Sequence, residues 1–503
     1  MQQNIIQKRD RYGRMVPFFY CLLFIVTFSL CFRFFTSATV EQGGDAFYKW
    51  GFIRQYVLFG DFPATLNHHV CRWAINIPVY FIQKYIGTGP GVYYVWPFLT
   101  ATLSAVFSFL LLEKIRGWRT GLAGAVLVIL SEPMLRLGTQ FLPMGAVVAY
   151  LLGALYFLVR WQHNRNNAVL VISSLFLFFC YGAKITSIYY LPAFLVLIYL
   201  AAENKRASIR SILCFLGVFI MLLALETYVF DSMTGATLGR VELIQRSHHA
   251  IHTGNPNATW QSSSDSLLKY VANFFVYFTY PGKAPSFLYY LAFGLSLLAF
   301  VKRLRPVYPL AVPFLCGFLG TAYAITSVFP FARPERMLFR YQAAIFELAL
   351  LVVVLFLSSN PVERLVGNRK LPFNAGGREI RVLLFLLLAV PVATYSFKHV
   401  KMLNNGYMKT LKTMQLVSQA SETHQPVFIP YKAGIRRSIK RIFLYRLLFS
   451  DERYHADSLY SFNAALLEGR PLITRDGKTY MLVDSNGCSE NFAEHAVILI
   501  DFD

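Results

Sequence analysis

Long apolar runs, repeated along most of the chain and joined by short basic connections, constrain this sequence more than any other feature. A helix rises about 1.5 Å per residue, so roughly twenty apolar residues cross the ~30 Å hydrocarbon core of a bilayer. All backbone N–H and C=O groups of such a segment are then bonded within it. About eleven spans can be read by this measure. They run near Val16 to Phe35, Val92 to Leu112, Trp118 to Pro133, Met144 to Val159, Ala168 to Tyr181, Ile188 to Ala202, Ile212 to Phe230, Ser286 to Val301, Tyr308 to Val328, Ala343 to Ser358 and Val382 to Phe397. The expected fold is an all-α polytopic membrane protein. Of the 503 residues, 56% are apolar and 15% charged, which excludes a disordered chain, a disulfide scaffold and a cytosolic globular enzyme. The formal charge of +22 sits in clusters between the spans rather than on a polar domain, so nucleic acid is not an expected partner. The first run has Lys8, Arg9, Arg11 and Arg14 ahead of it, as a signal peptide would, but its length favours a retained helix.

Orientation follows from the basic clusters, because Lys and Arg beside spans are held on the cytoplasmic side. Lys114/Arg116/Arg119, Arg160/Arg165, Lys205/Arg206/Arg210 and Lys302/Arg303/Arg305 fall on the same face as the N-terminal cluster. The opposite face carries two long loops, Thr36 to Gly91 and Asp231 to Ala284, and everything after Phe397. Long connections in such a protein are usually functional, so chemistry is expected on the outer face. Residues 1–397 form the expected transmembrane domain. The stretch 398–503 mixes charges with β-type runs such as Gln425 to Ile429 and His495 to Ile500, and predicts a small extracytoplasmic α/β domain.

In the first outer loop, Gly43-Gly44 break the chain and Asp45 opens a helix on which Ala46, Trp50, Ile53 and Val57 make one apolar face. That pattern predicts a helix in the interface plane, and Arg72 to Tyr85 predicts a second. Two roles fit Asp45: a helix N-cap, with Lys49 as its i+4 partner, and an acid placed to meet both lipid head groups and water. The outward-facing Lys49, Arg54, His68, His69, Arg72, Lys184, Arg333, Arg336 and Arg340 run against the orientation rule. Arg offers forked hydrogen bonds to phosphate and Lys a point charge, so this set suits a lipid phosphate; snorkelling onto ordinary head groups is the bland account. Lys184 stands between two spans with almost no loop. Glu132 lies near an outer helix end with Arg136 four residues on, as in a structural pair.

His68-His69 and His248-His249 with His252 lack a third ligand at metal-like spacing, and no phosphate-binding loop or nucleophile elbow occurs. No cofactor is expected, with room left for a divalent metal. Of the seven Cys, Cys71 and Cys488 alone fall in polar surroundings, where a disulfide between them is one reading.

These features together resemble the GT-C superfamily of polyprenyl-phosphate-sugar-dependent glycosyltransferases, near the protein O-mannosyltransferases and lipid A aminoarabinose transferases. The resemblance covers roughly residues 10 to 400. It rests on Gly44-Asp45-Ala46-Phe47-Tyr48 with Arg54 beyond, Leu137 to Pro143 leading into a span, Lys184 followed by Leu191-Pro192, and Arg340-Tyr341 opening a span. Relatives often carry a second acid where this chain has Ala46, Gln140 and Met144; Glu132 is the nearest substitute. The resemblance implies a GT-C-like membrane domain with interfacial helices. It implies a polyprenyl-phosphate-linked sugar as donor, Asp45 as catalytic base, and donor or acceptor binding by the cations with Glu132 and Tyr341. The acceptor would be a glycan, lipid or protein, and the expected location is a bacterial inner membrane with the N-terminus cytoplasmic. A flippase for lipid-linked glycans and an O-antigen-type polymerase are the alternatives.

Overall fold

The computed structural model describes residues 2–36, 44–61, 68–202, 204–253, 287–323, 342–358, 385–394, 396–398 and 401, and four strands between 427 and 499. The helices are α1 (Gln2–Thr36), α2 (Gly44–Phe59), α3 (Trp73–Tyr85), α4 (Val95–Arg116), α5 (Trp118–Leu130), α6 (Glu132–Leu137) and α7 (Pro143–Asn164). They continue with α8 (Asn167–Ala183), α9 (Leu191–Ala201), α10 (Lys205–Thr234), α11 (Arg240–Thr253), α12 (Phe287–Val301), α13 (Tyr308–Tyr323) and α14 (Ala343–Leu357). An apolar segment Phe385–Lys398 follows.

Among the described residues, five helices are long and apolar enough to cross a bilayer: Pro17–Thr36, Val92–Arg116, Pro143–Asn164, Lys205–Thr234 and Arg305–Tyr323. Shorter apolar helices, α5, α8, α12, α14 and Ile185–Ala201 among them, lie between these. Their ends follow local sequence. Gly117, at φ 95°, turns the chain from α4 into α5, a conformation glycine adopts without steric cost. The side chains of Asn166 and Asn204 accept backbone N–H bonds from Ala168 (2.9 Å) and Ala207 (2.8 Å), capping α8 and α10. Pro143 sits in the first turn of α7, where its missing N–H costs nothing.

The stretch Trp118 to Pro133, read above as one span, is divided. α5 stops at Leu130 and Ser131 takes an extended conformation. Ser131 then caps the short α6, accepting from the Met134 N–H. The break comes from a serine that serves as a cap followed by a proline that cannot donate.

α4 packs on α5 and α7, α7 on α8, and α8 on α10. α12, α13 and α14 pack on one another, and α14 also meets α5 and α7. Every residue of α14 from Ala343 to Phe356 is buried, so this helix runs through the middle of the bundle. α10 lies at the other extreme: Ile209, Leu213, Ile220, Met221, Leu225 and Tyr228 are all exposed. An apolar face of that length is stable in contact with lipid.

The strands form one sheet in the order β2-β3-β1-β4, with β1 Val427–Pro430, β2 Leu472–Arg475, β3 Lys478–Asp484 and β4 Ile498–Leu499. β3 pairs antiparallel with both β1 and β2, and β4 pairs parallel with β1. The two β-type runs picked out in the sequence are therefore neighbours, β1 and β4.

Candidate functional site

Among the described helices, α2 carries the most sequence-predicted site residues: Asp45, Lys49 and Arg54. Asp45 falls in its first turn, and its side chain is outside the described residues. Between Ala46 and Gln55 the helix is buried on nearly all sides, with Tyr48, Lys49, Trp50, Phe52, Ile53, Arg54 and Gln55 each enclosed, while its last turn, Tyr56, Leu58 and Phe59, is exposed. This differs from the expected interfacial helix with one wet face. The polar side of α2 is packed inside the protein along with its apolar side, which takes Lys49 and Arg54 out of contact with bulk water. On α3, Ile77, Phe81 and Tyr85 form an exposed apolar stripe at i, i+4 and i+8 opposite its buried Ala74, Ile75 and Val79.

Between α2, α3, α8 and α10 lies an apolar cavity of about 600 Å³. Phe52, Ile53, Trp73, Ile77, Phe178 and Leu225 are among its lining residues, and Glu226 is its one acid. Glu226 is held by the Trp73 indole, whose Nε1–H donates to it at 2.5 Å, and by Arg240 Nε at 2.9 Å. Arg240 also closes the end of α8, donating to the carbonyls of Tyr181 (2.8 Å) and Gly182 (2.9 Å), with its guanidinium 4.4 Å from the Tyr181 ring centre. Helix-end carbonyls need donors of this kind. The start of α11 is thus pinned to the end of α8, where Lys184 follows.

Lys184 is a single extended residue (φ −156°, ψ 121°) between α8 and the 3-10 turn Ile185–Tyr190. With Thr186, Ser187, Tyr190 and Thr321 it lines a polar cavity of about 20 Å³. Glu132 is buried near a second acid, Glu347 of α14, and both act electrostatically on the Tyr289 hydroxyl, as does Tyr190. Glu347 accepts from the Ser131 hydroxyl at 2.5 Å and interacts electrostatically with Arg33 of α1. Arg33 donates to the Met134 carbonyl at 2.8 Å, and Tyr289 donates to Gln342 at 3.3 Å. A buried polar layer therefore runs across the ends of α1, α5, α12 and α14, with Glu132 in it and Tyr190 joining it to the Lys184 cavity.

His68 and His69 have their ring centres 3.8 Å apart, and His69 also meets the Tyr48 ring at 5.4 Å. Asn76 holds the His69 carbonyl at 3.0 Å, so this turn packs onto α2 and α3. Among the described residues no group of three or more His, Cys, Asp or Glu is placed to hold a metal. Arg72 is half-buried at the start of α3. Cys71 is a free, buried thiol, pushed up to about 11 by burial, and Cys488 lies outside the described residues. Arg333, Arg336, Arg340 and Tyr341 also lie outside the described residues.

Sequence reasoning missed Arg33, Glu226, Arg240 and Glu347. Three of them carried a usable signal, since Arg33, Glu226 and Glu347 are isolated charges inside apolar runs, where an ionisable group implies a partner or a function.

No protein-family model and no curated protein matches the sequence. Solved structures do match. ArnT from Cupriavidus metallidurans bound to undecaprenyl phosphate aligns over 93% of this chain and 98% of its own, with a TM-score of 0.52 and 13% identity. Its apo state aligns over 95% and 99%, with a TM-score of 0.52 and 12% identity. The oligosaccharyltransferase of Archaeoglobus fulgidus aligns over 77% of this chain at a TM-score of 0.44 and 13% identity, and the chain spans 56% of that protein's length. These neighbours are GT-C glycosyltransferases, and the chain shares the polytopic membrane fold of ArnT.

Proposed function

We propose that the chain is an integral membrane glycosyltransferase that moves a sugar from a polyprenyl phosphate to an acceptor on the outer face of a bacterial inner membrane. The observation that carries this reading is the order of residues on α2. Asp45 is followed at i+4 by the buried Lys49 and at i+7 and i+8 by Phe52 and Ile53, which line the apolar cavity. A base, a phosphate-binding cation and a wall for an isoprenoid chain thus follow one another along one side of one helix.

The donor's prenyl chain occupies the cavity and its phosphate meets Lys49, with Arg54, Lys184 and the outer-loop Arg333, Arg336 and Arg340 as further ligands. An acceptor hydroxyl or amine gives its proton to the Asp45 carboxylate as it attacks the anomeric carbon. The bond from that carbon to the phosphate oxygen breaks, and the electron pair leaves on the polyprenyl phosphate. The cations stabilise the charge that develops on that oxygen. Displacement in one step inverts the anomeric centre. The energy lies in the donor bond, so the reaction requires no nucleotide at the site. The eleven apolar segments all span the membrane in this reading, and residues 398–503 form an outer α/β domain beside the acceptor.

The test compares extracted lipids and envelope glycans by mass spectrometry in cells carrying wild type, Asp45→Asn and a deletion, with membrane insertion of the variant verified. Both altered strains are expected to lose one sugar and to accumulate its polyprenyl-phosphate donor. An Asp45→Asn strain indistinguishable from wild type, beside a deletion that has an effect, would overturn the assignment of Asp45 and favour transport.

A further inference from the structure

The buried charges of α1 and α14 grip one short piece of chain from its two ends. Glu347 accepts a hydrogen bond from the hydroxyl of Ser131, the N-cap of α6. Arg33 donates a hydrogen bond to the carbonyl of Met134 and lies so close to the end of the same helix that a Cβ added at Gly138 would sit 2.4 Å from its Nη1. Both side chains are fully enclosed, and each acts electrostatically on the other. Two buried ionisable groups of opposite sign are expensive in the bilayer and seldom add stability over well-packed apolar side chains, so their presence calls for a role beyond cohesion.

Contacts that continue from α6 show what is being held. Just after it, Phe141 donates its N–H to the Tyr93 hydroxyl at 2.9 Å, and the Phe141 and Tyr93 rings enclose the Trp50 indole, with ring centres 6.4 and 5.4 Å away. Gln83 of α3 donates to the Trp50 carbonyl at 3.1 Å. Trp50 is fully buried and is the next residue after Lys49 on α2. A continuous path of packed groups therefore leads from Arg33 and Glu347 through α6 and Phe141 to the helix that carries Asp45, Lys49 and Arg54.

We infer that Arg33 and Glu347 are positioning residues, a buried clamp that fixes α6 and through it sets α2 at the angle glycosyl transfer needs. The inference rests on the transferase reading for what α2 does, while the clamp itself rests on the contacts just described. Neither residue touches the reacting atoms. Reacting groups held about 1 Å out of place lose on the order of a hundredfold in rate even where binding survives, so the clamp acts on turnover more than on affinity.

Full-length protein with Arg33→Met, Glu347→Leu and both together separates this role from simple cohesion. Three quantities are read: the unfolding midpoint in mixed micelles, binding of undecaprenyl phosphate by native mass spectrometry, and the amount of the sugar-bearing product when each variant complements the deletion strain. Each single change strands a buried charge and is expected to lower the midpoint. The double change removes both charges and is expected to regain the midpoint and to bind undecaprenyl phosphate as wild type does, with product still reduced tenfold or more. A double variant that regains product together with stability overturns the positioning role and leaves a structural pair. A double variant no more stable than the singles overturns the pairing itself. Should wild type restore no sugar to the deletion strain, the transferase reading fails, while the stability cycle still reports whether the pair exists.

Discussion

Replacing Arg240 with Met tests how α11 is fastened to the bundle. Three groups lose a partner at once: the Glu226 carboxylate at 2.9 Å, which keeps only the Trp73 N–H, and the carbonyls of Tyr181 and Gly182 at 2.8 and 2.9 Å. Breaking a buried ion pair from one side costs about 3–5 kcal/mol, because the remaining charge is stranded. The two carbonyls add about 1 kcal/mol each, giving about 5–7 kcal/mol for Arg240→Met. Adding Glu226→Leu removes the stranded charge. The double variant should then cost only about 3 kcal/mol, for the two carbonyls and for the Trp73 N–H that donated to Glu226. The second change is thus stabilising in the background of the first, which is an unusual sign and easy to read. Titration of unfolding in mixed micelles measures both steps, and proteolysis within residues 240–253 reports release of α11. A loss under 1 kcal/mol for Arg240→Met, or a further loss on adding Glu226→Leu, would refute the reasoning.

Two shorter tests address the same region. In Gly182→Ala the new methyl would sit 2.5 Å from the Trp73 ring; the ring must shift, at a cost of about 1–3 kcal/mol, and donor binding in the cavity it lines should weaken in the same variant, measured with undecaprenyl phosphate. Burial disfavours the Cys71 thiolate, so maleimide labelling at pH 8 should run about a hundredfold slower than at an unshifted thiol and climb as pH rises toward about 11; a rate that levels off near pH 9 would contradict the burial.

The apolar helices were legible because lipid leaves so few choices. A segment of apolar residues must satisfy its backbone internally, so composition alone locates it, and Val92, Trp118, Ala343 and Val301 end or begin helices where the runs do. α2 was legible as a helix and not in its setting. Its apolar face was counted correctly, but Lys49 and Arg54, read as outward-facing cations, pack inside together with Gln55. Periodicity shows which residues share a face and is silent on what covers the opposite one. The β2–β3 hairpin escaped notice although the paired Arg475 and Lys478 are separated by Asp476-Gly477, a strong two-residue hairpin signal.

The candidate site divides along the same line. Asp45, Lys49, Lys184 and Glu132 stood out because each is a charge where its surroundings make a charge unusual. The groups that hold the site in place did not, because their meaning lies in pairs joined across the fold: Ser131 with Glu347 over 216 residues, Trp73 with Glu226 over 153, Arg33 with Met134 over 101. No window along a sequence spans such distances. What each half of a pair does display alone is its cost. A lone Glu in Ala343–Leu357, every residue of which is otherwise apolar, would burden that helix without a partner. The physical rule that makes an apolar helix easy to find therefore also marks the residues it cannot explain, and in this chain two of those exceptions, Arg33 and Glu347, lie on the path that leads to α2.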